Sequence, residues 1–92
     1  MAERTVAVAA RAGLHARPAK LFVQAAMKLG VPVRIRVGSG KEVPANSMLG
    51  VLSLGAVRGT EVTLSAADGP EGESALDALA AMLARDLDAA DA

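Results

Sequence analysis

The stretch GLHARPAKLFVQAAMKLG, residues 13–30, contains the change of pattern that decides the fold. Before it, Val6 and Val8 alternate with Thr5 and Ala7, which is the two-residue period of a half-buried strand that ends near Ala9. From residue 18 onward the apolar residues recur at helical spacing, and a glycine at the end of the stretch provides a C-terminal stop. The apolar stripe comprises Ala19, Phe22, Val23, Ala26 and Leu29, and the stop is Gly30. The sequence therefore predicts a strand followed by a helix that starts at Pro18.

Two further strands are predicted after this helix. Residues 33–37 alternate valine or isoleucine with arginine, which indicates a strand with one apolar face. A Gly-Ser-Gly turn at 38–40 leads into a short third strand around 41–43. Pro44 ends this strand or confines it to the edge of a sheet, because proline has no N–H to donate to a neighbouring strand.

The remainder of the chain predicts a short helix, a fourth strand and a long helix. Ser47 can cap the short helix, which Gly55 closes, and residues 61–66 alternate polar and apolar side chains as a strand. Residues 68–70, Asp-Gly-Pro, indicate a turn. One face of the last helix carries leucines, and its charged residues are expected to face solvent. The leucines are Leu76, Leu79, Leu83 and Leu87, and the charged residues are Asp77, Arg85, Asp86 and Asp88.

The element order β-α-β-β-α-β-α predicts an α+β fold. Because every predicted strand has one apolar face, the simplest packing is a four-stranded antiparallel sheet covered on one side by three helices, an open-faced β-sandwich. A length of 92 residues with 52% hydrophobic content suits a single domain over residues 1–92. The residues after Leu87 are expected to fray.

The composition of the chain excludes several kinds of site and of protein. The chain has no cysteine, which excludes disulfides and thiolate metal sites and is compatible with a cytoplasmic location. A single histidine cannot build a zinc cluster, and we expect neither a metal nor an organic cofactor on this chain. No stretch approaches the roughly 20 apolar residues that a membrane-spanning helix needs. The sequence indicates a soluble protein, and we expect it to be monomeric.

Charges are balanced in number but not in position. Ten basic and ten acidic residues give a net charge of zero, which argues against a nucleic-acid partner. Eight basic residues precede Glu42 with only Glu3 opposing them, whereas residues 68–91 carry seven of the acids. The eight are Arg4, Arg11, Arg17, Lys20, Lys28, Arg34, Arg36 and Lys41. This basic half is either a set of solvated faces or a surface suited to phosphate and an acidic partner.

The chain's one histidine lies immediately before the predicted first helix. Pro18 is favoured at the first position of a helix, so His15 precedes the helix N-terminus. There the amides of Ala16 and Arg17 have no carbonyl partner in the helix, and together with the helix dipole they form a site for an anion, to which Arg17 adds a positive charge. The same field favours a neutral imidazole with a nucleophilic nitrogen. His15 is either an ordinary surface histidine or the acceptor of a phosphoryl group.

Two segments carry a resemblance to a known family. Gly13-Leu14-His15-Ala16-Arg17-Pro18-Ala19 resembles the phosphohistidine motif of HPr, the histidine phosphocarrier of the phosphoenolpyruvate:sugar phosphotransferase system. Residues 46–55, NSMLGVLSLG, are similar to the second motif of that family, a serine that opens a short apolar helix. The resemblance covers nearly the whole chain, and it implies the same open-faced fold.

The resemblance also implies roles for the residues of the first motif. By this resemblance, His15 is expected to take a phosphoryl group on Nδ1 from phosphorylated enzyme I and to pass it to IIA domains of sugar permeases, so that the protein acts as a carrier and not as an independent catalyst. Gly13 permits the turn, and Ala16 and Arg17 hold the phosphate. Many family members have a polar side chain where Ala12 stands, and that contact to the imidazole region is missing here.

A docking surface is expected beside the histidine. Leu21 falls off the apolar stripe of the first helix, and the short helix has more apolar residues than it can bury, Met48 and Leu49 among them. The resemblance implies that these three residues contact enzyme I and IIA domains together with Ala16, Arg17 and Lys20. Ser47 has two interpretations: a helix cap, or the regulatory phosphorylation site that a dedicated serine kinase uses in some members of the family.

Two alternatives remain open at this point. One is a regulatory paralogue, in a nitrogen-related or carbon-catabolite branch, that carries the same histidine but signals instead of feeding sugar uptake. The other is a small nucleic-acid or ligand-binding domain that is never phosphorylated. An RNA-binding sheet needs exposed aromatic side chains, and Phe22, the only aromatic residue, belongs to the helix stripe. A hydrolytic enzyme is disfavoured because no second histidine, cysteine or carboxylate pair accompanies the motif.

Overall fold

A computed structural model describes residues 1–86, over which the chain forms four strands and three helices in the predicted order. The elements are β1 (Ala2–Ala7), α1 (Ala16–Leu29), β2 (Arg34–Val37), β3 (Val43–Pro44), α2 (Met48–Ser53), β4 (Glu61–Ala66) and α3 (Pro70–Leu83). Leu87 and Asp88, and the predicted fraying after Leu87, lie outside the described residues.

The strands form one antiparallel sheet in the order β1-β4-β2-β3. Strand β4 is central, pairing with β1 from Ala2↔Ala66 to Ala7↔Glu61 and with β2 from Arg34↔Ser65 to Val37↔Val62. The helices cover one face, so the predicted open-faced α+β fold is confirmed. No helix within residues 1–86 combines the length and apolar character needed to cross a bilayer.

The core lies between the helices and the covered face of the sheet. Its largest fully buried side chains come from α1, α3, β2, β4 and the loop before α1; they include Phe22, Leu14, Ile35, Leu64, Leu76, Leu79 and Leu83. The predicted stripe of α1 is confirmed except at Leu29, which is exposed. Leu29 is the last residue of the helix, and it lines a surface groove with Val31 and Pro70 instead of packing on the sheet. Burial of the stripe fixes which face of α1 is left for solvent.

Several element boundaries differ from the prediction, among them the end of β1 at Ala7 instead of near Ala9 and the start of β2 at Arg34. Helix α1 begins at Ala16, two residues before Pro18, and α3 begins at Pro70, the third residue of the predicted turn. Proline occupies the first helical turn in both cases because its missing N–H is not needed there. Strand β3 is Val43–Pro44 rather than 41–43, and Pro44 pairs with Arg34. The proline is tolerated because β3 is an edge strand, as the sequence allowed.

The uncovered face of the sheet is shielded by charged side chains. Thr63 and Ser65 of β4 point to this face and are nevertheless buried. The Ser65 hydroxyl donates to Glu42 Oε2 at 3.0 Å, and the same oxygen accepts from Arg36 at 3.2 Å. Arg36 also reaches Glu3 at 3.3 Å. This network binds the Ser65 hydroxyl, and the Thr63 hydroxyl is hydrogen-bonded to Thr5 Oγ1 at 3.0 Å, so both buried hydroxyls of this face have polar partners.

The predicted solvent exposure of the charged residues of the last helix is confirmed at Asp77, whose side chain is 67% exposed, whereas the side chain of Asp86, just beyond α3, is only 26% exposed. Asp77 accepts from Arg4 Nε at 3.0 Å, and Asp86 accepts from Arg11 Nε at 2.8 Å. Each bond joins α3, or the residues just after it, to the N-terminal part of the chain, so these acids hold the helix in place across long sequence separations. Among the ion pairs formed within residues 1–86, acids partner four of the eight basic residues that precede Glu42: Arg4, Arg11, Arg34 and Arg36.

Candidate functional site

His15 is the N-cap residue of α1 and is half-buried. Its backbone is extended, with φ −135° and ψ 163°, and its side chain makes no capping hydrogen bond. An N-cap serine or aspartate would use its side chain to bond an amide of the first turn. Because His15 does not, its imidazole is left to act outside the helix, while the helix start remains open to another acceptor.

The turn before His15 is locked by a glycine. The Gly13 N–H donates to the Ala10 carbonyl at 2.9 Å, and Gly13 has φ +71°, in the left-handed region. A Cβ at this position would collide with the Ala56 carbonyl oxygen and lie 2.7 Å from Val57 Cα. Both the backbone angle and the close approach therefore require glycine here. The sequence indicated the turn but gave no sign of the contact with residues 56–57.

Leu14 anchors the next step of the loop. Its side chain is fully buried, and its N–H donates to the Ala56 carbonyl at 2.9 Å. Residues 13 and 14 are therefore fixed against the segment that joins α2 to β4. His15 follows directly, so its backbone position is set by the core on one side and by the start of α1 on the other.

Ala16 has an unusual backbone angle. Its φ of +50° is left-handed, the one such case among the non-glycine residues of the described chain. An L-residue in this region costs about 1–2 kcal/mol, and such outliers concentrate at functional sites. Regular helical backbone therefore starts only at Arg17. Nothing in the sequence signals this angle, because alanine carries no preference for it.

Two amides at the start of α1 have no acceptor in the helix. The first bond back to the N-cap runs from the Ala19 N–H to the His15 carbonyl and is long, 3.4 Å. The amides of Ala16 and Arg17 precede it, and Pro18 has no N–H. The predicted pair of donors is thus placed next to the histidine, at the positive end of a 14-residue helix.

The cations that follow His15 are unpaired. Within residues 1–86, no carboxylate lies in ion-pair distance of Arg17 or Lys20, and both side chains are exposed. This contrasts with the arginines of β1, β2 and the loop before α1, which all have acidic partners. The free positive charge at this end of α1 is therefore available to an anion or an acidic surface.

The second predicted segment lies beside the first. Helix α2 contacts α1, and Ser47 caps it, since Ser47 Oγ accepts from the Gly50 N–H at 3.1 Å. Leu49 is 82% exposed and Met48 36% exposed, whereas Leu21 is half-buried against the core. The structure therefore leaves α2 as the more apolar part of the predicted docking surface. Sequence reasoning missed Val57, which is 58% exposed next to Gly13.

Comparison with known proteins agrees with both motifs. Residues 2–85 match the family model described as PTS HPr component phosphorylation site. The phosphocarrier protein HPr of Streptomyces coelicolor is 51% identical over 88 residues, covering 96% of this chain and 94% of that protein. The HPr-like protein Crh of Bacillus subtilis is 44% identical over 81 residues, covering 88% of this chain and 93% of that protein.

A solved structure shows the same fold. The crystal structure of a phosphocarrier protein HPr from Bacillus anthracis superposes with a TM-score of 0.81 at 39% identity, covering 89% of this chain and 95% of that one. Family model, relatives and structure agree over nearly the full length. The chain therefore belongs to the HPr family of phosphocarrier proteins.

Proposed function

We propose that this protein carries a phosphoryl group on His15, accepting it from phosphorylated enzyme I and passing it to IIA domains of sugar permeases. One observation carries the proposal: His15 stands at the N-cap of α1 without capping it, beside two amides that have no helix acceptor. A phosphoryl group on the imidazole would supply the missing acceptor oxygens. The family membership of the chain supports the same role.

The transfer needs only a nucleophile and a site for negative charge. The lone pair of Nδ1 attacks phosphorus, a new N–P bond forms, and the bond from phosphorus to the donor breaks with its electron pair returning to the donor. The transferred group carries its charge on three oxygens. Amides of Ala16 and Arg17 donate hydrogen bonds to them, and the Arg17 guanidinium adds a positive charge. Delivery to the next protein reverses the same steps, so the chain acts as a carrier and not as an independent catalyst.

Docking would use the surface that α1 and α2 present around the histidine. Leu49 and Met48 supply apolar area, and Arg17 and Lys20 supply charge without acidic neighbours in the described chain. An acidic, partly apolar face on enzyme I or a IIA domain complements this arrangement. Methionine adapts to differently shaped partners, which suits a protein that must bind more than one. Ala16 and Leu21 complete the proposed surface.

The remaining expectations belong to the same proposal. We propose that residues 1–92 act as a single domain, that the protein works as a monomer in the cytoplasm, and that it needs no metal or organic cofactor. The absence of cysteine in the chain agrees with a reducing compartment.

Intact-mass measurement tests the carrier role. The purified protein is incubated with phosphoenolpyruvate and enzyme I from the same source, and its mass is recorded before and after mild acid. We expect a gain of one acid-labile phosphoryl group that is absent in His15→Ala. The absence of any gain, while the same enzyme I phosphorylates another HPr, would contradict the proposal.

A regulatory paralogue is the second candidate, because Crh, a relative of similar identity, is called HPr-like rather than HPr. Phosphorylation of Ser47 by a dedicated serine kinase would regulate a carrier as well as a signalling paralogue. Ser47 Oγ is committed to the Gly50 N–H, and a phosphoryl dianion there would add charge beside exposed Met48 and Leu49. Pull-down with the chain phosphorylated and unphosphorylated at Ser47 distinguishes the two candidates. A carrier captures IIA domains, whereas a signalling paralogue captures partners other than IIA domains.

A further inference from the structure

We infer that Asp86 is a positioning residue for His15, acting through Arg11 and the turn at residues 10–13. The inference rests on the proposed function, since it concerns phosphoryl transfer by this histidine. Asp86 follows the end of α3 and is far from the site in sequence. Its carboxylate nevertheless binds the loop that leads to His15 at two atoms of one residue.

The carboxylate binds Arg11 as a fork. Asp86 Oδ1 accepts from the Arg11 backbone N–H at 3.2 Å, and Oδ2 accepts from the Arg11 Nε at 2.8 Å. A hydrogen bond from the Gly13 N–H to the Ala10 carbonyl closes a turn over residues 10–13, and Arg11 is the second residue of this turn. The N–H of the second residue is not used by the hydrogen bond that closes a turn. Asp86 accepts from that N–H. Its side chain is 26% exposed, so this contact is partly withdrawn from water.

A second bond ties the same loop to α3. The Ala9 N–H donates to the Leu83 carbonyl at 2.9 Å, and Leu83 is buried in the core. Successive points of the loop are therefore bonded to Leu83 at the end of α3 and to Asp86 just beyond it, and Leu14 is bonded to Ala56 further on. Hydrogen bonds therefore hold the chain before, within and after the turn that precedes His15. Removing the Asp86 carboxylate removes both of its hydrogen bonds to Arg11 and leaves the core contacts of Leu14 and Leu83 in place.

The position of His15 matters because phosphoryl transfer requires the ring nitrogen to approach phosphorus in line with the bond that breaks. A looser turn spends less time in that arrangement, which lowers the rate of the chemical step. Docking depends on the exposed faces of α1 and α2 instead, whereas the Asp86 carboxylate bonds to the loop that precedes α1. We therefore expect the loss of the Asp86 carboxylate to lower the rate of phosphoryl transfer and to leave the affinity for the partner unchanged.

The chain supplies a matched control pair. Arg4 Nε donates to Asp77 at 3.0 Å, and Arg4 also reaches Glu73 at 3.2 Å, so β1 is tied to α3 by the same chemistry. The hydrogen bond with Asp77, followed by that with Glu73, raises the pKa of the Arg4 guanidinium above its usual value. This pair lies on strand β1 and does not touch the loop at residues 8–15. Breaking it tests the loss of an arginine–carboxylate pair on α3 without disturbing the turn.

The experiment compares Asp86→Ala, Arg11→Ala and Asp77→Ala with the unchanged protein. Steady-state transfer from enzyme I is measured as a function of carrier concentration, which separates kcat from KM. We expect Asp86→Ala to lower kcat by about threefold or more with KM unchanged. Arg11→Ala should lose less, because the amide of residue 11 still bonds to Asp86. Asp77→Ala should retain both constants.

Folding is monitored in parallel so that a damaged protein is recognised. Urea unfolding and amide hydrogen exchange are recorded for each variant, and Asp86→Leu, which fills similar space without an acceptor oxygen, replaces Asp86→Ala if the latter is poorly folded. Exchange at residues 10–14 should be faster in the Asp86 variant and unchanged in Asp77→Ala.

The outcomes are separable. If the unchanged protein accepts a phosphoryl group and Asp86→Ala has the same kcat, the inference is wrong and the proposed function stands. An equal loss of kcat in Asp77→Ala would also overturn it, since the effect would then be general destabilisation. A rise in KM with kcat unchanged would assign Asp86 to docking and contradict the positioning role. If the unchanged protein accepts no phosphoryl group, the proposed function fails and the inference fails with it.

Discussion

Replacing Gly13 by alanine should destabilise the protein and displace the histidine loop at once. The substitution carries two separate costs. The first is the left-handed backbone, φ +71°, which costs a residue with a Cβ about 1–2 kcal/mol. The second is the collision of the new methyl group with the Ala56 carbonyl oxygen and its 2.7 Å approach to Val57 Cα. Both neighbours are backbone atoms, and neither can be relieved by a change of rotamer.

The structure provides a control for the first cost. Gly30 ends α1 with φ +67°, and nothing lies within 4 Å of the position that an added methyl group would occupy, so Gly30→Ala meets the same backbone penalty in open space. Overpacking in a fixed environment costs about 1–3 kcal/mol. The free energy of unfolding should therefore fall by about 1–3 kcal/mol more for Gly13→Ala than for Gly30→Ala.

Urea unfolding followed by circular dichroism measures both values, with the unchanged protein as reference. Gly13→Ala should also slow phosphoryl uptake, because relief of the collision moves the loop away from residues 56–57 and stretches the bond from the Leu14 N–H to Ala56. Gly30→Ala, at the other end of α1, should take up phosphate at the original rate. Losses of stability that agree within about 0.5 kcal/mol in the two variants would refute the reasoning, since the contact of the new methyl group with residues 56–57 would then not affect the free energy of unfolding.

Three further substitutions test the site. Arg17→Ala should slow phosphoryl uptake by about tenfold, because a cation next to the transferred group is removed. Lys28→Ala, at the far end of α1, should leave the rate unchanged. Initial rates with enzyme I measure both variants, and equal rates would argue against a role for Arg17. Leu49→Glu should change the free energy of unfolding by less than about 0.5 kcal/mol, since the side chain is 82% exposed, and should weaken binding of an acidic partner in titration calorimetry; unchanged affinity would remove Leu49 from the surface. Ser47→Ala should cost about 1 kcal/mol of stability through loss of the cap on the Gly50 N–H, measured by urea unfolding, whereas Ser47→Asp retains an acceptor and should be close to the unchanged protein; a stable Ser47→Ala would show that the cap is unimportant.

Local signals in the sequence predicted the parts of the fold that depend on nearby residues. The stripe from Ala19 to Ala26 and the cap at Ser47 are patterns of neighbours, and the structure contains both, whereas burial in β4 does not follow the alternation of its sequence, because the polar Thr63 and Ser65 are buried as well. The exact limits of β3 were not predictable in the same way. Pro44 disfavours a strand on local grounds, and it becomes acceptable only because the sheet places β3 at an edge.

The sequence likewise predicted the position of the histidine at the site but not the finer geometry around it. The order Gly13, His15, Arg17 and Pro18 implied a histidine at a helix start, and the structure places it there. The angle of Ala16 could not be predicted, because alanine is a strong former of ordinary helix and the surrounding loop imposes the left-handed value. The Arg11–Asp86 contact was missed for a different reason: its partners are 75 residues apart and only the folded chain brings them together.

The distribution of ion pairs explains how a chain of zero net charge can present a positive site. A neutral protein has no strong long-range field, so attraction to an acidic partner depends on which charges remain uncompensated on one face. In this fold the strands and the loop before α1 lie within reach of acids from the sheet face and from α3, and their arginines are neutralised there. Within residues 1–86, no acid lies in ion-pair distance of Arg17 or Lys20 on helix α1. Arg17 and Lys20 consequently keep their charge beside His15, and encounter with an acidic partner should weaken as salt screens this local patch, even though the whole molecule carries no net charge.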